Sequence, residues 1–295
     1  MVDDDHGAPG SEIEPANRND RGDGGGVIAN PWRGLRAFTD ARIGLGRAGI
    51  SLPTRRLLEF QLAHAQAKDA VHLPLDVDAL CEALDEAALA GVDDAPIRLH
   101  SRAEDRTAYL QRPDHGRRLD EASCERLASH TGQAETRRDL ALVVVDGLSS
   151  LGVQNNAVPF LRVFCEALAA DTNHDWHLAP LAVVEQGRVA IGDEIGSLLN
   201  ADAVIVLIGE RPGLSSPDSL GLYMTWNPTI GTTDAYRNCI SNIRPAGLSA
   251  DQASERALYL LSEARTRDLS GVELKDRSDE DVIEHDEGTG NFLIS

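Results

Sequence analysis

The 295-residue sequence predicts an α/β protein in which a helical N-terminal region precedes a doubly wound, mainly parallel sheet of the Rossmann-like kind. Three observations carry this expectation. In the first part of the chain, apolar residues recur at three- and four-residue spacing, the period of an amphipathic helix. After Arg138 the texture changes to short continuous apolar runs, Leu140 to Val145, Leu178 to Val184 and Ala203 to Ile208, as expected of strands covered on both faces. Helix-length stretches, Ala157 to Ala170 and Gly192 to Leu199, separate these runs, and a βαβαβ order implies parallel strands joined by right-handed crossovers.

In chain order, residues 1–26 hold seven acids, two arginines and almost nothing apolar, and they close on Gly24-Gly25-Gly26. This composition is that of a disordered tail. Residues 27–135 form the expected helical region. It begins around Leu35 and Phe38, and continues from Thr54 as N-cap through Leu57, Leu58, Gln61, Leu62 and Ala65. A further helix starts after Asp76 and runs through Leu80, Cys81, Leu84 and Ala88 to a stop at Gly91. Ile97 to Leu99 reads as a short strand, and helices flank the Arg112-Pro113-Asp114 turn. Residues 136–275 form the sheet domain. A fourth strand, Leu220 to Trp226, and a helix opening on the capping pair Ser249 and Gln252 complete it. Residues 276–295, with seven acids and one arginine, are a second expected disordered tail.

The formal charge is −20 and the pI about 4.7, which argues against gripping phosphate backbones, so no nucleic-acid partner is expected. Lys68 and Lys275 are the only lysines. An acidic surface rich in arginine suits a salt-rich cytoplasm, and a base-composition bias with two acidic tails explains it equally well. No apolar run approaches the ~18 residues of a membrane span, and Met1-Val2-Asp3-Asp4-Asp5 lacks the features of a signal peptide, so a cytoplasmic location is expected. Cys81, Cys124, Cys165 and Cys239 show no CxxC spacing, and neither disulfides nor a zinc site are expected.

In open α/β sheets, ligands bind beyond the carboxyl ends of the strands. The three apolar runs lead into Asp146-Gly147-Leu148-Ser149, Glu185-Gln186-Gly187-Arg188-Val189 and Gly209-Glu210-Arg211-Pro212-Gly213, each combining a carboxylate with a glycine that lets backbone approach a ligand. Taken singly, each is an ordinary turn. No GxGxxG follows the first strand, and GxxxxGK[ST] is absent, so neither a standard dinucleotide site nor a Walker loop is supported. Gly147-Leu148-Ser149 begins like a nucleophile elbow, but Leu151 stands where the second glycine belongs, and Ser149 reads as a helix cap. His174 and His177 lie close together without an HExxH pattern, and no metal site is expected.

The segments Arg47-Ala48-Gly49, Tyr109-Leu110-Gln111-Arg112-Pro113-Asp114-His115-Gly116-Arg117-Arg118-Leu119, Val145-Asp146-Gly147-Leu148-Ser149, Gly209-Glu210-Arg211-Pro212-Gly213-Leu214 and Asn238-Cys239-Ile240-Ser241-Asn242-Ile243 together resemble the light chain of ethanolamine ammonia-lyase. The resemblance covers about residues 30–275. It implies a subunit of an adenosylcobalamin enzyme that converts ethanolamine to acetaldehyde and ammonia by radical chemistry. A heavy, TIM-barrel subunit would supply the catalytic groups, and this chain would bind the cofactor, with no catalytic residue of its own. The hetero-oligomer implied is a dodecamer. The resemblance places cofactor contacts at Val189, Glu210 and Cys239. It also implies that the cofactor keeps its own dimethylbenzimidazole as lower ligand. This agrees with Asp175-Trp176-His177-Leu178-Ala179-Pro180, which departs from the cobalt-ligating DxHxxG pattern by a proline and by preceding a strand. Residues 1–26 have too few apolar side chains for the amphipathic helix usual in microcompartment entry; free cytoplasm is favoured and a bacterial microcompartment stays open.

On residue type alone the chemistry is modest. Glu210 at a strand end can accept hydrogen bonds from amide side chains, Val189 offers backbone groups and apolar contact, and Cys239 can pack against a ligand edge. A solvated Glu, a core Val and a buried Cys are the plainer alternatives. Two rival functions are a stand-alone α/β hydrolase or transferase built on Ser149, Asp146 and a histidine, and a binding module for a nucleotide-like ligand.

Overall fold

A computed structural model of the protein describes residues 26–131 and 137–276. The two tails expected to be disordered lie, apart from Gly26 and Asp276, outside the described residues. The chain divides into two compact units between His64 and Ala65. In the first, β1 (Val27–Ile28) pairs antiparallel with β2 (Arg47–Ala48), and a 3-10 helix, Pro31–Ala37, is capped by Asn30, whose side chain accepts from the Trp32 N–H at 2.9 Å. The division falls within α1 (Thr54–His72).

The second unit is an α/β layer structure. Its helices and strands follow as α2 (Val77–Glu86), β3 (Ile97–His100), α3 (Arg106–Gln111), α4 (Glu121–Thr131), β4 (Arg138–Val145), α5 (Ser150–Ala170), β5 (Ala182–Glu185), α6 (Ile191–Leu198), β6 (Ala201–Gly209), β7 (Leu220–Trp226), β8 (Arg237–Ile243) and α7 (Ala250–Arg267). The six strands β3 to β8 form one sheet in the order β3-β5-β4-β6-β7-β8. The pairings β3·β5, β5·β4 and β4·β6 are parallel, whereas β6·β7 and β7·β8 are antiparallel. The sheet is therefore mixed, not the uniformly parallel one that a fourth βαβ-type strand would have extended. Residues 210–219 join β6 to β7 without a helix, and a parallel return needs a crossover of a dozen residues or more.

Both faces are buried, as the apolar runs require. Along β4, Leu140, Leu142 and Val144 face a core built with α2, α5 and α7, while Ala141, Val143 and Val145 face a second core with α4 and α6. Alternation of the two faces along one apolar strand is the period-2 geometry of a pleated strand. α5 begins earlier than the apolar stretch predicted, because the Ser149 side chain caps it by accepting from the Gly152 N–H at 3.1 Å. β5 is shorter than Leu178 to Val184: Leu178 makes only an isolated bridge to Leu140, and Pro180 has no N–H for a ladder. α2 ends at Glu86 and not near Gly91; Ala88 adopts φ +46° so that Leu89 can turn back into the core. β8 escaped the sequence reading because its edge position leaves Asn238, Cys239, Ser241 and Asn242 outside the core, with only Arg237, Ile240 and Ile243 buried. No helix among the described residues is long and apolar enough to cross a membrane.

The short helix α6 carries two adjacent buried carboxylates, each held by an arginine from elsewhere. Asp193 takes both ends of the Arg237 guanidinium, at 2.6 and 2.7 Å, and Arg237 also donates to Thr225 Oγ1 and the Thr232 carbonyl. Burial pushes the Asp193 carboxyl up even against this partner. Glu194 binds Arg118 at 2.8 and 3.0 Å and accepts from the Leu119 N–H at 2.8 Å. Burial raises its carboxyl, but these bonds outweigh it and hold the group below its ordinary value. These clamps tie α6 to β8 and to the loop before α4. Asp193→Ala leaves the buried Arg237 guanidinium with only the exposed Asp234 carboxylate, at 3.3 Å, as an ionic partner, so it should lose about 3–5 kcal/mol in urea unfolding. The double variant Asp193→Leu/Arg237→Met should be more stable than either single change. If the single changes cost little, the guanidinium is finding solvent that the fold denies it here.

Candidate functional site

The loop after β4 leads to α5 on one face and the loop after β5 leads to α6 on the other, so a crevice opens between them at the carboxyl edge. The crevice becomes a cleft of about 460 Å³. Leu148, Arg188, Val189, Glu210 and Tyr109 line it, with Tyr223 of β7 at its far wall. Arg188, Val189 and Tyr223 also border an adjoining recess of about 700 Å³ that extends to Pro113, Arg117 and the Ile230–Asp234 segment.

Asp146 organises this edge from within. Its side chain is buried and accepts from the Gln186 N–H at 2.9 Å and the Gly187 N–H at 3.1 Å, joining the loop after β4 to the loop after β5. Arg106 stands 3.6 Å away and spends its other donors on the Val71 carbonyl at 2.7 Å and the Gly147 carbonyl at 2.8 Å. Burial pushes the Asp146 carboxyl up to about 6, against the pull of the Gln186 N–H, Arg106 and the Gly187 N–H.

The glycines of these loops serve the protein's own packing. Gly147 has φ +59°, and a Cβ there would overlap the Gly209 carbonyl. A Cβ on Gly209 would in turn overlap the Ser149 carbonyl. The two loops interlock backbone to backbone, and the expectation that these glycines open the backbone to a ligand is corrected accordingly. Ser149 is fully buried, and its hydroxyl donates to the Pro217 carbonyl at 2.7 Å. Among the described residues neither Ser149 nor Asp146 bonds to a histidine, and the geometry there gives no support to the hydrolase alternative.

Tyr109 and Arg188 form the cleft wall that sequence reasoning did not single out. Tyr109 is fully buried, with Arg188 stacked over its ring at 4.0 Å and Arg106 at 4.7 Å. Arg188 also donates to the Tyr109 carbonyl at 3.0 Å, and its N–H to the Gly116 carbonyl at 2.7 Å. Burial raises the Tyr109 phenol well above its ordinary value. Three buried polar atoms here have no partner among the described residues: Arg106 Nη2, the Tyr109 hydroxyl and Arg188 Nε. Such atoms are costly unless a bound group or water meets them. The signal in the sequence was the run Tyr109–Leu119, whose aromatic and arginine residues a reading in terms of turns leaves without a task.

Of the three residues singled out for cofactor contact, Val189 and Glu210 share the cleft. Glu210 Oε2 accepts from the Ser219 hydroxyl and, at 3.1 Å, from the Asn242 N–H, while Oε1 rests against Gly221. Cys239 is exposed and does not line the cleft. It sits directly across from Tyr223 in the β7–β8 ladder, with Ser241 Oγ at 3.4 Å from its sulfur. Burial first, and Cys239 second, raise the Tyr223 phenol. His174 and His177 lie at the opposite, amino edge, where His177 Nδ1 is 3.1 Å from Asp139 Oδ2.

Comparison with known proteins gives one consistent result. The family model for the ethanolamine ammonia-lyase light chain matches residues 29–275. The chain is 56% identical over 267 residues to the ethanolamine ammonia-lyase small subunit of Pseudomonas aeruginosa (strain UCBPP-PA14), covering 90% of this chain and 95% of that one. It is 54% identical over 268 residues to the small subunit of Pseudomonas fluorescens (strain Pf0-1), covering 90% and 95%. The match to that of Azotobacter vinelandii is 54% over 266 residues, covering 90% and 96%.

The raised carboxyl of Asp146 has a measurable sign. The folded chain keeps this proton at pH values where the unfolded chain has lost it, so the stabilisation is complete below about pH 4 and is lost as pH rises through about 6. The span amounts to roughly 3 kcal/mol. The stability deficit of Asp146→Asn, followed by urea unfolding from about pH 4 to about pH 7.5, should therefore shrink as pH rises. A deficit that grows with pH would show that the two backbone N–H groups hold the carboxylate ionised.

Proposed function

Because the chain belongs to the ethanolamine ammonia-lyase light-chain family, we propose that it is the small, cofactor-binding subunit of an adenosylcobalamin-dependent enzyme converting ethanolamine to acetaldehyde and ammonia. Its partner is a large TIM-barrel subunit, in a hetero-oligomer for which a dodecamer is the expected form. The cytoplasm is the favoured location. When bound, the cofactor supplies the radical chemistry, and the large subunit supplies the groups that handle substrate.

The observation that carries this reading is the cleft at the carboxyl edge, where Val189 and Glu210 meet beside partnerless buried donors. A corrin presents a broad apolar ring with a rim of amides, and the residues here suit both parts. Val189 and Leu148 offer apolar contact, and Glu210, held in place by Ser219 and Asn242, keeps acceptor capacity toward amide N–H groups. Cys239 would reach the corrin edge beyond the Tyr223 wall. What this chain contributes is binding, orientation and the exclusion of water from one side of the cofactor.

Two measurements test the division of labour. The isolated chain, given adenosylcobalamin, should release no ammonia from ethanolamine, and activity should appear on adding the large subunit; turnover without it would overturn the assignment. In the assembled complex, Glu210→Ala should weaken cobalamin binding about ten- to a hundredfold, the cost of a lost charge-assisted bond, with Glu210→Gln losing less. Wild-type affinity in the Ala variant would make Glu210 a solvated turn residue.

A further inference from the structure

We propose that Arg188 binds the phosphodiester of the cofactor's nucleotide loop and that Tyr109 is the platform that positions it. The inference rests on the cobalamin reading above. Apart from its cobalt centre, cobalamin is a largely neutral ligand, its rim substituents being amides. The phosphodiester that joins the corrin side chain to the dimethylbenzimidazole nucleotide is its anionic substituent. A cleft that orients the whole molecule therefore has one place where a fixed cation is worth most, and a planar guanidinium matches phosphate oxygens in geometry as well as charge.

Arg188 has the properties such a group needs. It lines both the cleft and the adjoining recess, at the junction of the two. Neighbouring arginines are committed to carboxylates: Arg112 to Asp114, Arg118 to Glu194 and Arg237 to Asp193. Arg188 makes no ion pair among the described residues, although the chain as a whole is strongly acidic. Its orientation is fixed instead by neutral contacts, the face of the Tyr109 ring at 4.0 Å and the Tyr109 carbonyl at 3.0 Å, which leave Nε buried and without a partner. A cation preorganised this way sacrifices little side-chain entropy on meeting an anion. Arg211 on the cleft side and Arg117 on the recess side add positive potential, against Glu210 in the cleft and, in the recess, Asp114 and Asp234, which are paired with Arg112 and Arg237. The plainer reading is that Arg188 only staples the Tyr109–Leu119 loop to the loop after β5, through the stack and the bond to Tyr109.

The two readings separate on a ligand that lacks the phosphate. In the complex with the large subunit, binding of cyanocobalamin and of dicyanocobinamide, which retains the corrin and its amides but has no nucleotide loop, is followed by absorbance titration. Arg188→Gln should weaken cyanocobalamin about ten- to a hundredfold and leave dicyanocobinamide within about twofold of wild type, with Arg188→Lys between the two. Tyr109→Leu should reproduce the selective loss and Tyr109→Phe, which retains the stacked ring, should restore binding. Size-exclusion chromatography of each complex reports on folding and pairing, and Arg188→Lys, the milder change, carries the test if the Gln variant fails to assemble. Equal losses for both ligands would make Arg188 a loop staple and overturn the proposal, as would wild-type complex binding the two ligands with equal affinity. Wild-type complex that binds neither ligand would remove the cobalamin reading and this inference with it, whereas the selective pattern can fail while that reading stands.

Discussion

The carboxylate of Asp146 is the fixed point of the ligand edge. It sits at the end of β4, and its two oxygens hold the N–H groups of Gln186 and Gly187 from the loop after β5. Gln186 is a non-glycine residue at φ +54°, a conformation that costs about 1–2 kcal/mol. The two hydrogen bonds that the Asp146 carboxyl accepts hold the loop in that conformation. The Gln186 carbonyl is held in turn by the Ser101 hydroxyl at 2.7 Å. With the peptide pinned on both sides, the chain leaves Gln186 in one direction, and that direction delivers Arg188 and Val189 to the cleft. Arg106 adds the Val71 carbonyl and the Gly147 carbonyl to the same cluster, so four stretches of chain converge on one buried anion.

The antiparallel end of the sheet supplies the opposite wall. Because β7 returns beside β6, Ser219 and Gly221 come back alongside the end of β6, and Glu210 lies over Gly221 with its carboxylate tied to Ser219. A Cβ on Gly221 would crowd the Glu210 side chain at about 3.0 Å. β8 then contributes the Asn242 N–H to the same carboxylate and Cys239 to the face beyond Tyr223. The mixed topology thus builds one wall of the cleft from β7 and β8.

The strands that bury both faces were legible because continuous Val, Leu, Ile and Ala runs have no other stable place in a soluble α/β fold. The caps of α5 and α7 were legible because Ser149 and Ser249 act through bonds within a few residues. Direction and pairing of β7 and β8 were not, since they depend on what residues 210–219 cannot reach. Within the site, Glu210 and Val189 were named through the family resemblance, in loops that follow β6 and β5. Tyr109 and Arg188 did not, because each is ordinary alone and acquires its role only when α3 and the loop after β5, 79 positions apart, are stacked together. The glycines were misread for the related reason that a sequence shows where backbone can approach closely but not what approaches it.

The distribution of charge argues for recognition over acid–base work in this cleft. Among the described residues Asp146, Asp193 and Glu194 are the buried carboxylates, and each is taken up by backbone N–H groups, by an arginine or by both. Glu210 is the carboxylate left at the cleft itself, and one of its oxygens is already engaged. The tyrosines at the cleft, Tyr109 and Tyr223, have phenols raised by burial and so stay protonated, able to donate but not to act as bases at neutral pH. Donors fixed in place, an acceptor at the rim and apolar surface between them are the equipment for holding a ligand in one orientation. The interior ion pairs of Asp193 with Arg237 and Glu194 with Arg118 serve to keep the walls of the cleft rigid.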